Sequence, residues 1–173
     1  MPYFKKEMFV EETIKSILNQ SYQNIEILII DDELNDQSSK VLKKLSEKDK
    51  RIKILLNEKN LGAGLSRNKG IQAATGEYIA FCDCDDLWSQ FKLEEQLNFM
   101  KKFKADFTYT AYQIIDKKGK IIGERSAKDN ISFIELLSSC DIGLSTVMLK
   151  KKLFDNKISI FQTLKQKKIM LFG

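Results

Sequence analysis

The chain has 173 residues, 43% of them hydrophobic and 31% charged, which suits one globular domain and excludes a disordered polymer. It contains no histidine. Ser-His-Asp and Cys-His catalysis, His-ligated zinc and imidazole proton transfer are therefore excluded, and any acid–base or metal chemistry must run on carboxylates. Carboxylates favour hard cations such as Mg²⁺ or Mn²⁺. Cys82, Cys84 and Cys140 are odd in number and lack zinc spacing. With no signal-peptide pattern at the N-terminus, a reducing cytoplasm is the expected compartment. No apolar run approaches the roughly 18 residues that span a bilayer. The net charge is +5, and Arg51, Arg67 and Arg125 are the only arginines. A lysine-rich face with interspersed acids reads as solvated surface, with at most weak peripheral attraction to the anionic inner membrane.

In chain order, Phe9, Thr13, Ile14, Ile17 and Leu18 recur at helical spacing, which predicts an amphipathic helix over 7–20. Ile25 to Ile30 is a nearly continuous apolar run ending in Asp31-Asp32, the pattern of a parallel strand buried on both faces. Val41, Leu42 and Leu45 mark a second helix, and Ile52 to Leu56 a second strand. Asn60 to Gly64 is a turn feeding a third helix that stops at Thr75-Gly76. Tyr78 to Cys82 is a third strand, and Leu93, Leu97 and Met100 give a fourth helix. This alternation predicts a mostly parallel, Rossmann-like α/β sheet with helices on both faces. Beyond residue 105 the texture changes, and segments 106–116 and 120–124 flank Lys117-Lys118-Gly119 as an antiparallel hairpin.

In open α/β sheets, ligands collect beyond the carboxyl ends of the strands. Two of the three strands end in clustered acids, Asp31-Asp32 and Asp83-Cys84-Asp85-Asp86. One acid at a strand end commonly caps the next helix. Three carboxylates within four residues repel one another unless a cation or a ligand occupies the space between them. Such clusters also count against a nucleic-acid partner.

The ordered motifs resemble family 2 glycosyltransferases of the GT-A fold. They are Glu11 to Tyr22 followed by Ile25 to Asp32, then Asn60-Leu61-Gly62 through Ser66-Arg67-Asn68-Lys69-Gly70-Ile71, then Gly76 to Phe81 followed by Asp83-Cys84-Asp85-Asp86-Leu87-Trp88, and finally Lys92-Leu93-Glu94. The resemblance covers about residues 2–155. It implies transfer of a sugar from a nucleotide-diphosphate donor, UDP-linked by preference, to a hydroxyl on a glycan or lipid-linked acceptor in bacterial surface-glycan synthesis. The anomeric centre would be inverted, with Mg²⁺ or Mn²⁺ stabilising the diphosphate leaving group. It further implies that Asp85 and Asp86 hold the metal and that Asp83 supports the ribose or the metal shell. Asp32 would accept from the nucleobase, Pro2 and Tyr3 would lie beside it, and Arg67 would face phosphate or base. Trp88 is expected to pack, and Cys82 and Cys84 to be inert.

Three departures from the family pattern carry expectations of their own. Where the family has Asp-Asp-Gly-Ser, this chain has Asp32-Glu33-Leu34, so a glycine able to take positive φ is missing. The family's first strand precedes its Pro-Tyr element, here Pro2-Tyr3, so residues 1–158 are expected to form a catalytic-domain fragment without that strand. The family's catalytic base, an acid in a Glu-Asp pair, has no match after residue 155, and Leu164 to Gly173 contains no acid. A/T-rich codons for that tail, read two nucleotides later, encode Lys-Thr-Lys-Glu-Asp-Tyr-Ala-Phe-Trp. Residues 159–173 are therefore expected to be a frameshifted tail and this polypeptide to be inactive. A non-catalytic nucleotide-binding remnant is the alternative, followed by a lysine-rich interaction module.

Overall fold

A computed structural model describes residues 1–128 and 142–154. Cys140 and the expected frameshifted tail lie outside the described residues.

The first half of the chain builds a parallel sheet. Strands β1 (Pro2–Tyr3), β2 (Ile27–Asp31) and β3 (Ile52–Leu56) lie in the order β1-β2-β3. Pro2 sits opposite Ile30, and Ile29 opposite Ile54. Pro2 and Tyr3 are thus themselves strand, which refines the expectation that the first strand is wholly absent. Met1 O accepts from Ile30 N at 2.9 Å and Tyr3 O from Asp32 N at 3.0 Å, which continues the ladder across this short β1.

Alternation along β2 assigns its faces. Helix α1 (Val10–Leu18) places Val10, Thr13, Ile14 and Ile17 at i, i+3, i+4 and i+7, and all four are buried. Glu11 and Glu12 in its first turn complement the helix dipole. These side chains join Leu42 and Leu45 of α2 (Asp36–Lys48) in one core with Tyr3, Ile27, Ile29 and Ile52. Helix α3 (Gly62–Ala73) covers the opposite face. Its Gly70 lies so close to β2 that a Cβ there would come within 2.8 Å of Ile30 Cδ1. Helices therefore sit on both faces, as the sequence predicts.

The second half is antiparallel. Strands β4 (Tyr78–Ala80), β5 (Phe107–Thr108) and β8 (Met148–Lys150) form a sheet in the order β4-β8-β5. Leu93, Leu97 and Met100 of α4 (Lys92–Phe103) pack with Met148. That helix ends at Lys104, whose φ of 52° is the left-handed cap conformation. The predicted hairpin is present as β6 (Tyr112–Ile115) and β7 (Ile121–Arg125), but 106–116 is not one strand. Its first part, β5, pairs with β8 instead.

Between β2 and β4 runs a slot of about 590 Å³, lined by Met1, Leu28, Ile71, Ile79, Leu97 and Met148 among others. The Met1 amino group donates to Leu28 O at 3.0 Å at its mouth. Burial pushes this amine below its ordinary pKa. Ladder alternation turns the Leu28 N–H on one wall, and the Tyr78 and Ala80 peptide groups on the other, towards the slot. Glu26 ties the two walls together at the far end, where Oε1 accepts from Thr75 N at 2.6 Å and Thr75 Oγ1 at 2.7 Å.

Candidate functional site

The parallel strands deliver their carboxyl ends, and the loop after β4, to one edge of the molecule. A pocket of about 320 Å³ opens there, lined by Pro2, Phe4, Lys6, Asp32, Ala63, Arg67, Asp83, Cys84 and Asp85. That volume falls within the range of small-molecule sites, roughly 300–1,000 Å³. Five residues singled out from the sequence, Pro2, Asp32, Arg67, Asp83 and Asp85, converge on it from four separate chain segments.

Asp32 is 2% exposed and its carboxylate is heavily engaged. Oδ1 accepts from Leu61 N and Asn57 Nδ2, both at 2.7 Å, and Oδ2 from Gly62 N at 2.8 Å. The two amides open α3, so Asp32 satisfies donors that have no partner inside the helix and sets its charge at the positive end of the dipole. Gly62 takes φ 79°, which suits a glycine. With about four lone-pair positions on a carboxylate, one remains for a ligand. Asn57 also donates to Ser66 Oγ at 2.9 Å, binding β3's exit to the same helix.

The 83–86 segment is held from three sides. Arg67, on α3, donates to Asp83 Oδ1 at 2.6 Å, with the guanidinium side chain only 15% exposed. Lys6 donates to Asp85 Oδ2 at 2.5 Å, and here both side chains are more than a third exposed. That hydrogen bond holds the Lys6 ammonium above its ordinary pKa. Ser145 Oγ accepts from Asp83 N at 3.0 Å and donates to Asp86 Oδ2. Asp86 was expected as the second metal ligand. It does not line the pocket, because its carboxylate turns back to Ser145, where burial raises its pKa.

Tyr3 is fully buried among the α1 and α2 side chains and does not line the pocket either, so it is a core aromatic. Its hydroxyl has no hydrogen-bond partner, and burial pushes the phenol upward. Trp88 packs as expected, its indole N–H donating to Ser145 O at 2.9 Å. Cys82 and Cys84 are buried, and burial raises both thiols, Cys84 to about 12, so neither is a thiolate nucleophile at neutral pH.

Lys6 and Ser145, which pair with Asp85 and Asp86, are the members of this constellation that sequence reasoning misses. Lys6 is one lysine in a lysine-rich chain, and Ser145 lies 59 residues beyond Asp86. Neither falls in a motif that marks it.

A divalent cation fits this donor set only in part. Among the described residues no group of three metal-ligating side chains comes together. Asp83 and Asp85 nonetheless both face the pocket. Mg²⁺-type sites commonly use one or two carboxylates and complete the shell with substrate phosphates and water. The arrangement suits a cation that arrives with a diphosphate rather than one held permanently.

Residues 1–159 match the family model for glycosyl transferase family 2. The chain is 39% identical over 155 residues to WfgD of Escherichia coli, a UDP-Glc:alpha-D-GlcNAc-diphosphoundecaprenol beta-1,3-glucosyltransferase, covering 90% of this chain and 60% of WfgD. The S. aureus TarS 1–349 structure with UDP-GlcNAc is similar at TM-score 0.73 and 20% identity, over 90% of this chain and 45% of that one. A mannosyltransferase of Pyrobaculum calidifontis, solved with GDP-Man and Mn²⁺, aligns at TM-score 0.63 and 17% identity, over 90% and 44% of the respective chains. The likeness to the two solved structures establishes the fold, and the chain spans about three-fifths of its curated relative's length. With the predicted GT-A architecture and the strand-end acids in one pocket, these matches place the chain in the family 2 glycosyltransferases.

Proposed function

We propose that the pocket is the donor half of a transferase acting on a nucleotide-diphosphate sugar, with UDP as the preferred nucleotide. The convergence of Asp32, Arg67, Asp83 and Asp85 on one cavity at the strand ends carries this reading. Asp32 fixes the start of α3 and keeps one acceptor position for the nucleobase or ribose. Arg67, buried on Asp83, presents a fixed positive charge towards the diphosphate. Asp83 and Asp85 would hold Mg²⁺ or Mn²⁺, which when bound neutralises the charge developing on the leaving diphosphate. The acceptor would be a hydroxyl on a glycan or lipid-linked carrier of a bacterial surface polymer, and the transfer inverting. The activity of WfgD, a glucosyltransferase acting on GlcNAc-diphosphoundecaprenol, supports that class of acceptor. A cytoplasmic location at the inner face of the membrane follows from an acceptor of this kind.

The pocket acids leave no general base. Asp32 has three internal donors, Asp83 has Arg67 and Asp85 has Lys6. Deprotonation of the acceptor, worth about 10²–10⁴ in rate, must come from outside these residues. We propose that this base is not among the described pocket residues, and that residues 159–173 are a frameshifted tail replacing the segment that carries it, so that the chain binds donor without transferring sugar. The family match ending at residue 159 supports that boundary. Calorimetric titration of UDP with and without Mn²⁺ tests the reading. Metal-dependent binding lost in Asp85→Asn is expected, and equal affinity in both proteins would refute it.

A further inference from the structure

The two cations facing the pocket are held differently. Arg67 sits on a helix with its side chain 15% exposed, a fork fixed on Asp83. Lys6 reaches Asp85 on a flexible stem, with 37% and 39% of the two side chains exposed. Its backbone is anchored, because Lys6 O accepts from Phe9 N and Val10 N at 3.0 Å each at the entry to α1. A lysine is a compact point charge on a four-carbon stem and exchanges partners readily, whereas arginine's planar fork does not. Asp85 is also the pocket carboxylate whose ion pair is the more exposed.

We infer that the Lys6 ammonium is a built-in placeholder for the divalent cation on Asp85, handed from the carboxylate to a diphosphate oxygen when metal and nucleotide enter together. This rests on the donor-site reading above. With the pocket empty, Lys6 offsets the Asp85 charge. A metal arriving alone must displace Lys6 and leave it facing a +2 ion at close range. A metal arriving with a diphosphate brings the oxygens that Lys6 needs as its next partner. The device therefore disfavours metal without nucleotide and couples the two binding events, and coupling of this kind is reciprocal.

The test uses the full chain with Lys6→Met, which keeps the apolar stem and removes the charge. Mn²⁺ binding is measured by calorimetry, first without nucleotide and then with saturating UDP. Removing one positive charge from beside the incoming cation is expected to tighten Mn²⁺ alone by about five- to tenfold. The extra affinity that UDP confers on Mn²⁺ should shrink by at least as much. Unchanged or weaker binding of Mn²⁺ alone in Lys6→Met, with the wild-type chain still binding Mn²⁺ and UDP together, overturns the placeholder and leaves the donor site standing. Loss of UDP affinity in EDTA would also overturn it, by making Lys6 a permanent phosphate ligand. If the wild-type chain binds no Mn²⁺–UDP, the donor-site reading itself fails. Lys6→Arg keeps the charge but swaps the compact ammonium for a planar fork that holds Asp85, so the coupling should weaken there too, which separates exchange of the ammonium from the presence of a positive charge.

Discussion

The slot between β2 and β4 makes a quantitative demand on stability. Pro2 pairs with Ile30, so four residues placed before Met1 would run alongside Leu28 to Ile25. Their peptide groups would meet the open ladder positions of Leu28 on one side and of Tyr78 and Ala80 on the other. Apolar side chains there would fill the volume of about 590 Å³ beside Ile71, Ile79, Leu97 and Met148. Each buried apolar residue contributes roughly 1.5–3 kcal/mol, against about 1.5 kcal/mol per residue for ordering it. About five ladder hydrogen bonds add roughly 1 kcal/mol each. The buried Met1 amine would also become a neutral peptide group. The net gain is about 5 kcal/mol, equivalent to a rise of roughly 10–20 °C in Tm for a domain of this size. The assay is thermal unfolding by circular dichroism of the chain as it stands, of a Val-Ser-Ile-Ile extension, and of a Ser-Gly-Ser-Gly extension as control. The unextended chain should melt below about 50 °C, towards the low end of the mesophile range, and only the apolar extension should raise the midpoint. If both extensions behave alike, or if the unextended chain melts cooperatively well above that temperature, the slot is not a missing strand's place.

Other outcomes follow from single residues. Leu34 holds φ 61° one position beyond the glycine of the family pattern, so Leu34→Gly should stabilise the chain by about 1 kcal/mol in a denaturant titration. Lys92 is 7% exposed, donates to Gln96 Oε1 at 2.6 Å, and burial lowers its pKa to about 8. Between that value and an unfolded pKa near 10.4 the unfolded chain binds the extra proton, so stability should rise with pH across this window by about 2–3 kcal/mol. Lys92→Met should be more stable than wild type at pH 7 and lose its advantage by about pH 10; parallel pH profiles would contradict this. Asp86→Ala should retain metal-dependent UDP binding more fully than Asp85→Ala, since Asp86 points at Ser145. Sequencing the gene should find, after Ile158, a second frame encoding Glu-Asp and a continuing helical segment, and restoring it should restore sugar transfer.

The parallel half of the fold was legible because its signals are local and repeated. β3 falls on its predicted residues and α1 lies inside its predicted span, since burial on one or two faces writes a period into the sequence, while α3 stops where predicted but begins at Gly62, inside the predicted turn. The antiparallel half was not legible in the same way. β5 has two residues and β8 three, too few to show alternation, and their pairing joins positions about 40 residues apart. Among site residues, Asp32, Asp83 and Asp85 announced themselves as clustered acids at strand ends. The partners that decide what those acids do are backbone amides at 61 and 62, one lysine and one serine, which carry no such signal.

Clustered carboxylates at strand ends suggest that an external cation is needed to hold them together. The structure shows why that step is too strong. Asp83 is matched by Arg67 from α3, Asp85 by Lys6 from the loop before α1, and Asp86 by Ser145 from the segment before β8. Each acid has its own donor from a different part of the chain, so the cluster can persist without metal. What distinguishes a site from a solved packing problem is that two of these matches are made at the wall of a cavity, and one of them by a partly exposed ammonium on a long stem. The repulsion among the acids is relieved internally, and at Asp85 by the more exposed of the two ion pairs, so under the proposed donor-site reading that pair, more than the number of acids, is where a cation and a diphosphate would enter.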